Sequence, residues 1–252
     1  MRPGVAAGFA RIMKLPGYDS TGAPDPAPAR RAVVTGAGRG FGAALTARLA
    51  TGGWQVVACV RDGAGPGHEN VTVVRQDVRD PVGAPLLAAV GDRPLDLLVN
   101  NAGIGAPGRP LAETDPGSVL AAVDVNVAGP LRLAQALLPR LLAAPDPLIV
   151  NVSSRLGSVS AQAAGEFADR RTSYAYRIAK AGQNMLTVAL AQEFAGRVRC
   201  WAVHPGSLAT AMGVPGAATR PEEAAARLAR LLDEADPRSP RYLSLDGPEL
   251  GW

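Results

Sequence analysis

The sequence predicts an α/β fold, a doubly wound parallel sheet of seven strands with helices on both faces. Three observations predict it. The chain has 252 residues, enough for one large domain and too few for two comfortable ones. Short apolar runs, several stopped by glycine, asparagine or serine, alternate along it with stretches of helical periodicity. The first such run ends in a glycine-rich turn that opens directly into a helix.

The elements follow in order. Residues 1–29 carry Pro3, Pro16, Pro24, Pro26 and Pro28 and lack the apolar core of a secretory signal, so they read as a flexible N-terminal extension. The folded part, residues 30–252, begins with Arg31-Ala-Val-Val-Thr, an apolar run of the kind a buried parallel strand makes. In 41–52, Phe41, Ala44, Leu45, Arg48 and Leu49 recur at helical spacing. Gln55–Val60 and Val71–Asp77 are the second and third strands, and a helix opened by Pro81 runs to about residue 90. Leu95–Val99 is the fourth strand, ending in Asn100-Asn101-Ala102-Gly103. Two helices are expected over 116–127 and 130–143, then a strand at Leu148–Val152 ending in Ser153-Ser154. The longest helix spans 174–195 and stops at Gly196. A strand, Val198–Val203, leads to His204-Pro205-Gly206. The helix 220–233 has Pro221 in its first turn with Glu222 and Glu223, which suits the positive end of a helix. Arg241–Leu245 is the last strand.

Composition excludes several function classes. Hydrophobic residues are 47% and charged residues 19%, a globular balance. No apolar run approaches the length of a membrane span. The net charge of +4 comes from scattered basic residues, so no nucleic-acid surface is indicated. Cys59 and Cys200 lie inside apolar strands, as buried thiols in a reducing cytosol would. His68 and His204 make no ligand-spaced pair, so no metal site is expected. Of the 26 basic residues only Lys14 and Lys180 are lysines, leaving 24 arginines. The wealth of Ala, Arg, Gly and Pro is that of a GC-rich bacterial genome.

Ligands of doubly wound sheets bind beyond the carboxyl ends of the strands. The first strand ends there in Thr35-Gly36-Ala37-Gly38-Arg39-Gly40-Phe41-Gly42. Glycines allow a tight turn and a close approach of backbone to pyrophosphate, and the helix N-terminus offers unpaired N–H groups. The spacing differs from G-x-G-x-x-G, since Phe41 stands where its last glycine would be.

The pattern Thr-Gly-x-x-x-Gly-x-Gly resembles that of the short-chain dehydrogenases/reductases, and the rest of the chain is similar to the family in order across residues 31–247. Asn100-Asn101-Ala102-Gly103 resembles its N-N-A-G motif, Tyr176-Arg-Ile-Ala-Lys180 its Y-x-x-x-K motif, and Ser153-Ser154 its serine pair. The ending and the His204-Pro-Gly turn resemble the C-factor and sniffer carbonyl reductase subgroup. The resemblance implies a Rossmann fold and a cytoplasmic enzyme with no membrane or nucleic-acid partner. It also implies a homodimer. Asn126, Ser154, Tyr176 and Lys180 are its implied catalytic set. Implied cofactor contacts are Gly36, Gly38, Arg39, Gly40, Phe41, Gly42, Arg61, Asp77, Asn101, Ala102, Gly103, Tyr176, Lys180, Pro205, Gly206 and Thr210.

The physical reading supports those roles. Tyr176 and Lys180, four apart, share a helix face, whereas Tyr174 has Ile178 at the corresponding position. A free phenol titrates near pH 10, and a nearby ammonium favours the phenolate, so Lys180 is expected to lower the Tyr176 pKa. Lysine stands at 180 in a chain whose default cation is arginine. A compact point charge can bond ribose hydroxyls and sit close to a phenolate, where a planar guanidinium is bulkier. Strand alternation lets only one of Ser153 and Ser154 share the active face, and the resemblance selects Ser154 to orient the carbonyl. Asn126 is expected to hold a water in a proton relay from Lys180.

Arg61 follows the second strand and Arg39 lies in the glycine loop, both placed for a ribose 2′-phosphate, so NADP(H) is expected over NAD(H); Asp62 keeps NAD open. The resemblance implies a small carbonyl or alcohol as substrate. The stretch between Ser154 and Tyr176 is longer than the resemblance implies, and the extra segment, 161–173, contains Glu166, Asp169, Arg170 and Arg171. It should border the substrate mouth and the helix faces the family uses to dimerise, with Arg170 or Arg171 placed either to receive an anionic group or on an exposed loop. Alternative readings are a tailoring enzyme doing dehydration, epimerisation or altered redox chemistry, and an NADP sensor without turnover. The set Asn126, Ser154, Tyr176 and Lys180 argues against a sensor, because binding alone needs no tuned phenol.

Overall fold

A computed structural model describes residues 29–208, 219–234 and 236–252. Residues 1–28 of the expected extension, and Thr210, lie outside the described residues. The strands are β1 (Arg31–Thr35), β2 (Gln55–Val60), β3 (Val71–Arg75), β4 (Leu97–Asn100), β5 (Leu148–Val152), β6 (Arg199–His204) and β7 (Arg241–Ser244). They form one parallel seven-stranded sheet in the order β3-β2-β1-β4-β5-β6-β7. The helices are α1 (Gly40–Thr51), α2 (Ala84–Val90), α3 (Pro116–Val123), α4 (Gly129–Leu141), α5 (Val159–Ala163), α6 (Tyr174–Glu193) and α7 (Pro221–Asp233). The doubly wound fold is as the sequence predicts.

Both faces of the sheet are covered, which is why the central strands read as unbroken apolar runs. Alternation divides each strand between two cores. Ala32 and Val34 of β1 pack with Phe41, Leu45 and Leu49 of α1 and Leu228 of α7. Val33, between them, faces the other core with Leu86 of α2, Leu133 and Leu137 of α4 and Leu190 of α6. Cys59 and Cys200 sit in that second core, where burial pushes both thiols up to about 12 and keeps them protonated. Among the described residues no helix is long and apolar enough to cross a membrane.

The structure differs from the sequence expectations in three places. The helix expected from Pro81 starts at Ala84, with Pro85 in its first turn. Gln76 holds the intervening segment out of helix by bonding the Pro81 carbonyl (3.2 Å) and the Gly83 N–H (2.9 Å). The two helices expected over 116–127 and 130–143 are joined by a π-helical turn, Asp124–Ala128. Pro130 is the cause: it has no N–H for the carbonyl four residues back, and the Gly129 N–H bonds the Asp124 carbonyl instead. The extra segment 161–173, where no helix is expected, opens inside the short helix α5 and continues through turns to Ser173. Phe167 anchors it in the interior, and the Arg171 carbonyl packs onto Gly108, where a methyl group would lie 2.3 Å from that oxygen.

Candidate active site

The sheet order reverses between β1 and β4, and the glycine loop lies at that switch point. A side chain is excluded there by geometry. A methyl group on Gly42 would lie 2.3 Å from Asn101 Nδ2 and 2.4 Å from the Gly36 carbonyl oxygen. Gly36 has φ +64 and would meet the Ala102 backbone at 2.9 Å. Gly38, by contrast, has only ordinary contacts, the nearest at 3.5 Å. Gly40, also at positive φ, opens α1. Arg39 precedes it in extended conformation, without a side-chain cap, and no acid stands in the first turn. The N–H groups there are free to bind an anion, so these residues fit a dinucleotide pyrophosphate. Phe41 offers only backbone, its ring being in the core.

The N-N-A-G segment braces this loop. Thr35 Oγ1 accepts from the Asn101 and Ala102 N–H groups, both at 3.0 Å, and Asn101 Nδ2 donates to the Thr35 (2.8 Å) and Gly36 (3.1 Å) carbonyls. Gly38 lies against the backbone of Asp62 and Ala64, which brings Arg39 and Arg61 to one corner. Arg61 pairs with Asp62 at 2.6 Å. Asp77, just beyond β3, pairs with Arg79 at 2.7 Å, and that guanidinium holds its carboxyl below the usual range.

The ends of β5 and α6 form the other half. Ser153 and Ser154 are separated as alternation requires: the Ser153 hydroxyl donates to Asn184 Oδ1 at 2.6 Å, while Ser154 Oγ accepts from the Leu156 N–H at 3.3 Å and lies against Tyr176. Ser173 caps α6, its hydroxyl accepting from the Tyr176 N–H at 3.2 Å. Lys180 is buried, its Nζ 5.7 Å from the centre of the Tyr176 ring and donating to the Val152 carbonyl at 2.7 Å and to Gln183 Oε1 at 2.8 Å. Asn126, fully buried on the π turn, donates through Nδ2 to the Ile104 (3.0 Å) and Ala122 (2.9 Å) carbonyls. Its Oδ1 has no partner among the described residues. Gly103 separates the two groups: a methyl group on it would lie 2.7 Å from Asn126 Oδ1 and 3.7 Å from Lys180 Nζ.

Electrostatics here correct one expectation. Burial pushes the Tyr176 phenol up rather than down, with the Ser154 hydroxyl bond opposing it, and burial brings Lys180 down to about 7. The desolvation of both groups outweighs the lysine charge.

Pro205 and Gly206 follow β6, buried, with Gly206 at φ +91 and in close contact with the Asp246 carboxylate. Neighbouring His204 is held down to about 4 by burial, opposed by Asp246, so its imidazole is neutral. Arg170 and Arg171 are exposed, with Arg170 lying over the Phe167 ring at 5.7 Å.

Three residues that sequence reasoning did not single out complete the site. Pro130, four residues after Asn126, removes the helical partner of the Asn126 carbonyl, and that spacing was the available signal. Gln183 is Lys180's side-chain acceptor. The buried Tyr242 hydroxyl donates to the Ser154 carbonyl, and its ring stacks on Trp252 with centres 5.1 Å apart. A polar residue one helical turn past Lys180 was a signal for Gln183; Tyr242 had none.

The sequence pattern of the short chain dehydrogenase family matches residues 30–220. Cis-4-hydroxycyclohexanecarboxylate dehydrogenase of Sinomonas cyclohexanicum is 35% identical over 234 residues, covering 82% of this chain and 90% of that protein. C-signal of Myxococcus xanthus is 32% identical over 162 residues, 63% of this chain and 93% of that one. Among solved structures, NADPH-bound carbonyl reductase from chicken fatty liver superposes with a TM-score of 0.79 at 28% identity, covering 89% of this chain and 99% of that one.

Proposed function

Since this chain belongs to the short-chain dehydrogenase family and is thereby a nicotinamide-dependent oxidoreductase, we propose that it is an NADPH-dependent carbonyl reductase with Tyr176 as its general acid. The observation that carries this reading is Lys180. A fully buried ammonium with no acid beside it among the described residues is costly to a fold, and it lies next to the half-buried Tyr176 phenol.

Roles follow from position. The free N–H groups of α1 and the glycine cradle hold the pyrophosphate, Arg39 and Arg61 face the 2′-phosphate corner, and Asp77 lies toward the adenine side. Pro205 and Gly206, just beyond β6, lie toward the nicotinamide side. When bound, the cofactor supplies hydride from its nicotinamide ring. The Ser154 hydroxyl donates a hydrogen bond to the substrate carbonyl oxygen and holds it near the Tyr176 hydroxyl. Tyr176, its pKa raised by burial, is protonated at neutral pH and gives its proton to that oxygen as the alcohol forms, the direction suited to reduction. Lys180 stabilises the resulting phenolate, and Asn126, through a water, provides the route by which a proton returns.

Purified protein incubated with NADPH and panels of aldehydes, ketones and quinones, followed by loss of cofactor absorbance, tests the reading. Turnover of at least one carbonyl class is expected, with NADPH preferred to NADH. Tight NADPH binding without turnover of any of them would overturn it.

A further inference from the structure

We propose that Gln183 is a positioning residue for the reaction above: its side-chain carbonyl, together with the Val152 carbonyl, fixes the Lys180 ammonium beside Tyr176. Gln183 is fully buried one turn along α6 from Lys180, and its Oε1 accepts from Lys180 Nζ at 2.8 Å. The Val152 carbonyl accepts from the same nitrogen at 2.7 Å. These are the acceptors the described residues give a side chain that water does not reach, and they leave one of its three N–H donors for the site.

The amide's orientation supports the assignment. Gln183 Nε2 is buried with no partner among the described residues. Turning the amide over would put its NH₂ group against the ammonium, donor facing donor. The oxygen therefore faces Lys180 at the expense of an unsatisfied amide N–H, a cost a merely space-filling glutamine would not carry. Among the described residues no carboxylate shares the ammonium. The titratable and charged groups on the surrounding elements are Tyr174, Tyr176, Arg177 and, at its far end, Glu193 on α6, Arg155 on the turn after β5, Arg199, Cys200 and His204 on β6 and Asp124 on the π turn, and Asp124 is paired with Arg132 at 2.7 Å. Burial alone accounts for the depression of Lys180 to about 7. Neutral carbonyls are thus what keeps the ammonium in place near neutral pH.

The two-lysine composition makes the test direct. In protein labelled with ¹³C-lysine, the Lys14→Arg variant identifies the Lys180 signal, whose pH titration is followed in wild type, Gln183→Leu and Gln183→Glu. Loss of the acceptor in Gln183→Leu is expected to lower the Lys180 midpoint by about one pH unit or more, and the carboxylate of Gln183→Glu to raise it by a similar amount. The alkaline limb of kcat/KM for carbonyl reduction moves the same way in each variant. A purely structural glutamine would lower activity or stability and leave both midpoints in place, and that result overturns the proposal. If the leucine variant does not fold, the glutamate variant decides alone: a raised midpoint supports the role and an unmoved one refutes it. The inference rests on the reductase reading for its catalytic meaning. The lysine titration needs no turnover, so an inactive enzyme with shifted midpoints would fault that reading and leave the placement of Lys180 standing.

Discussion

The two halves of the site are specified in opposite ways. The glycine loop between β1 and α1 is defined by side chains that are missing: methyl groups at Gly36 and Gly42 would meet backbone or amide atoms at 2.3 to 2.9 Å. The half at β5 and α6 is defined by side chains that are present and buried, Ser154, Lys180 and Gln183, each bonded to a partner. An absence of atoms is a local requirement that glycine alone satisfies. A buried polar network is a requirement of three-dimensional partnership, which spacing along the chain records only in part. A cofactor cradle can therefore be read from the chain, while the tuning of its chemistry cannot.

The largest structural effect that would sharpen this contrast is expected at Gly42. Gly42→Ala should destabilise the protein by about 1–3 kcal/mol, because the overlap with backbone outweighs the roughly 1 kcal/mol that alanine gains over glycine in a helix. Gly38→Ala, with ordinary contacts only, should stay within about 0.5 kcal/mol of wild type. Urea midpoints measure both, and equal values would remove the distinction within the loop. At pH 4.5 a second effect, of about 2 kcal/mol, is expected from His204 on the other half. Its native pKa of about 4 lies below the unfolded value near 6.5. The unfolded chain therefore binds more protons between those limits, and stability falls as pH drops through that window. His204→Gln should flatten that part of the urea-midpoint profile; an unchanged slope would assign acid sensitivity to carboxylates such as Asp77 and Asp246, which act in the same direction. The smallest effect belongs to the cofactor corner. Replacing Arg39 and Arg61 together by alanine should lower kcat/KM for NADPH about tenfold, the worth of one charge-assisted contact, and leave NADH within about twofold. Equal losses with both cofactors would place these arginines elsewhere than on the 2′-phosphate.

Legibility followed the same division. The sheet and its seven strands were readable because both faces are covered and the strands are apolar throughout. The Tyr176–Lys180 pair was readable from helical spacing. The stretch 116–143 reads as two separate helices because Pro130 looks like a helix start, whereas α3 runs on into α4 through a π turn that carries Asn126. Gln183 escaped notice because its role depends on where the Lys180 side chain lies. The direction of the Tyr176 pKa is not legible because burial, invisible in the sequence, outweighs the lysine charge.

Tyr176→Phe tests the central claim most directly, with turnover and NADPH binding measured on the same preparation. The phenyl ring keeps the packing and removes the proton, so carbonyl reduction should fall by about 10³-fold or more while NADPH binding, followed by tryptophan fluorescence, stays within about twofold. Reduction that survives the substitution would contradict the account, because the proton would then come from a group other than Tyr176.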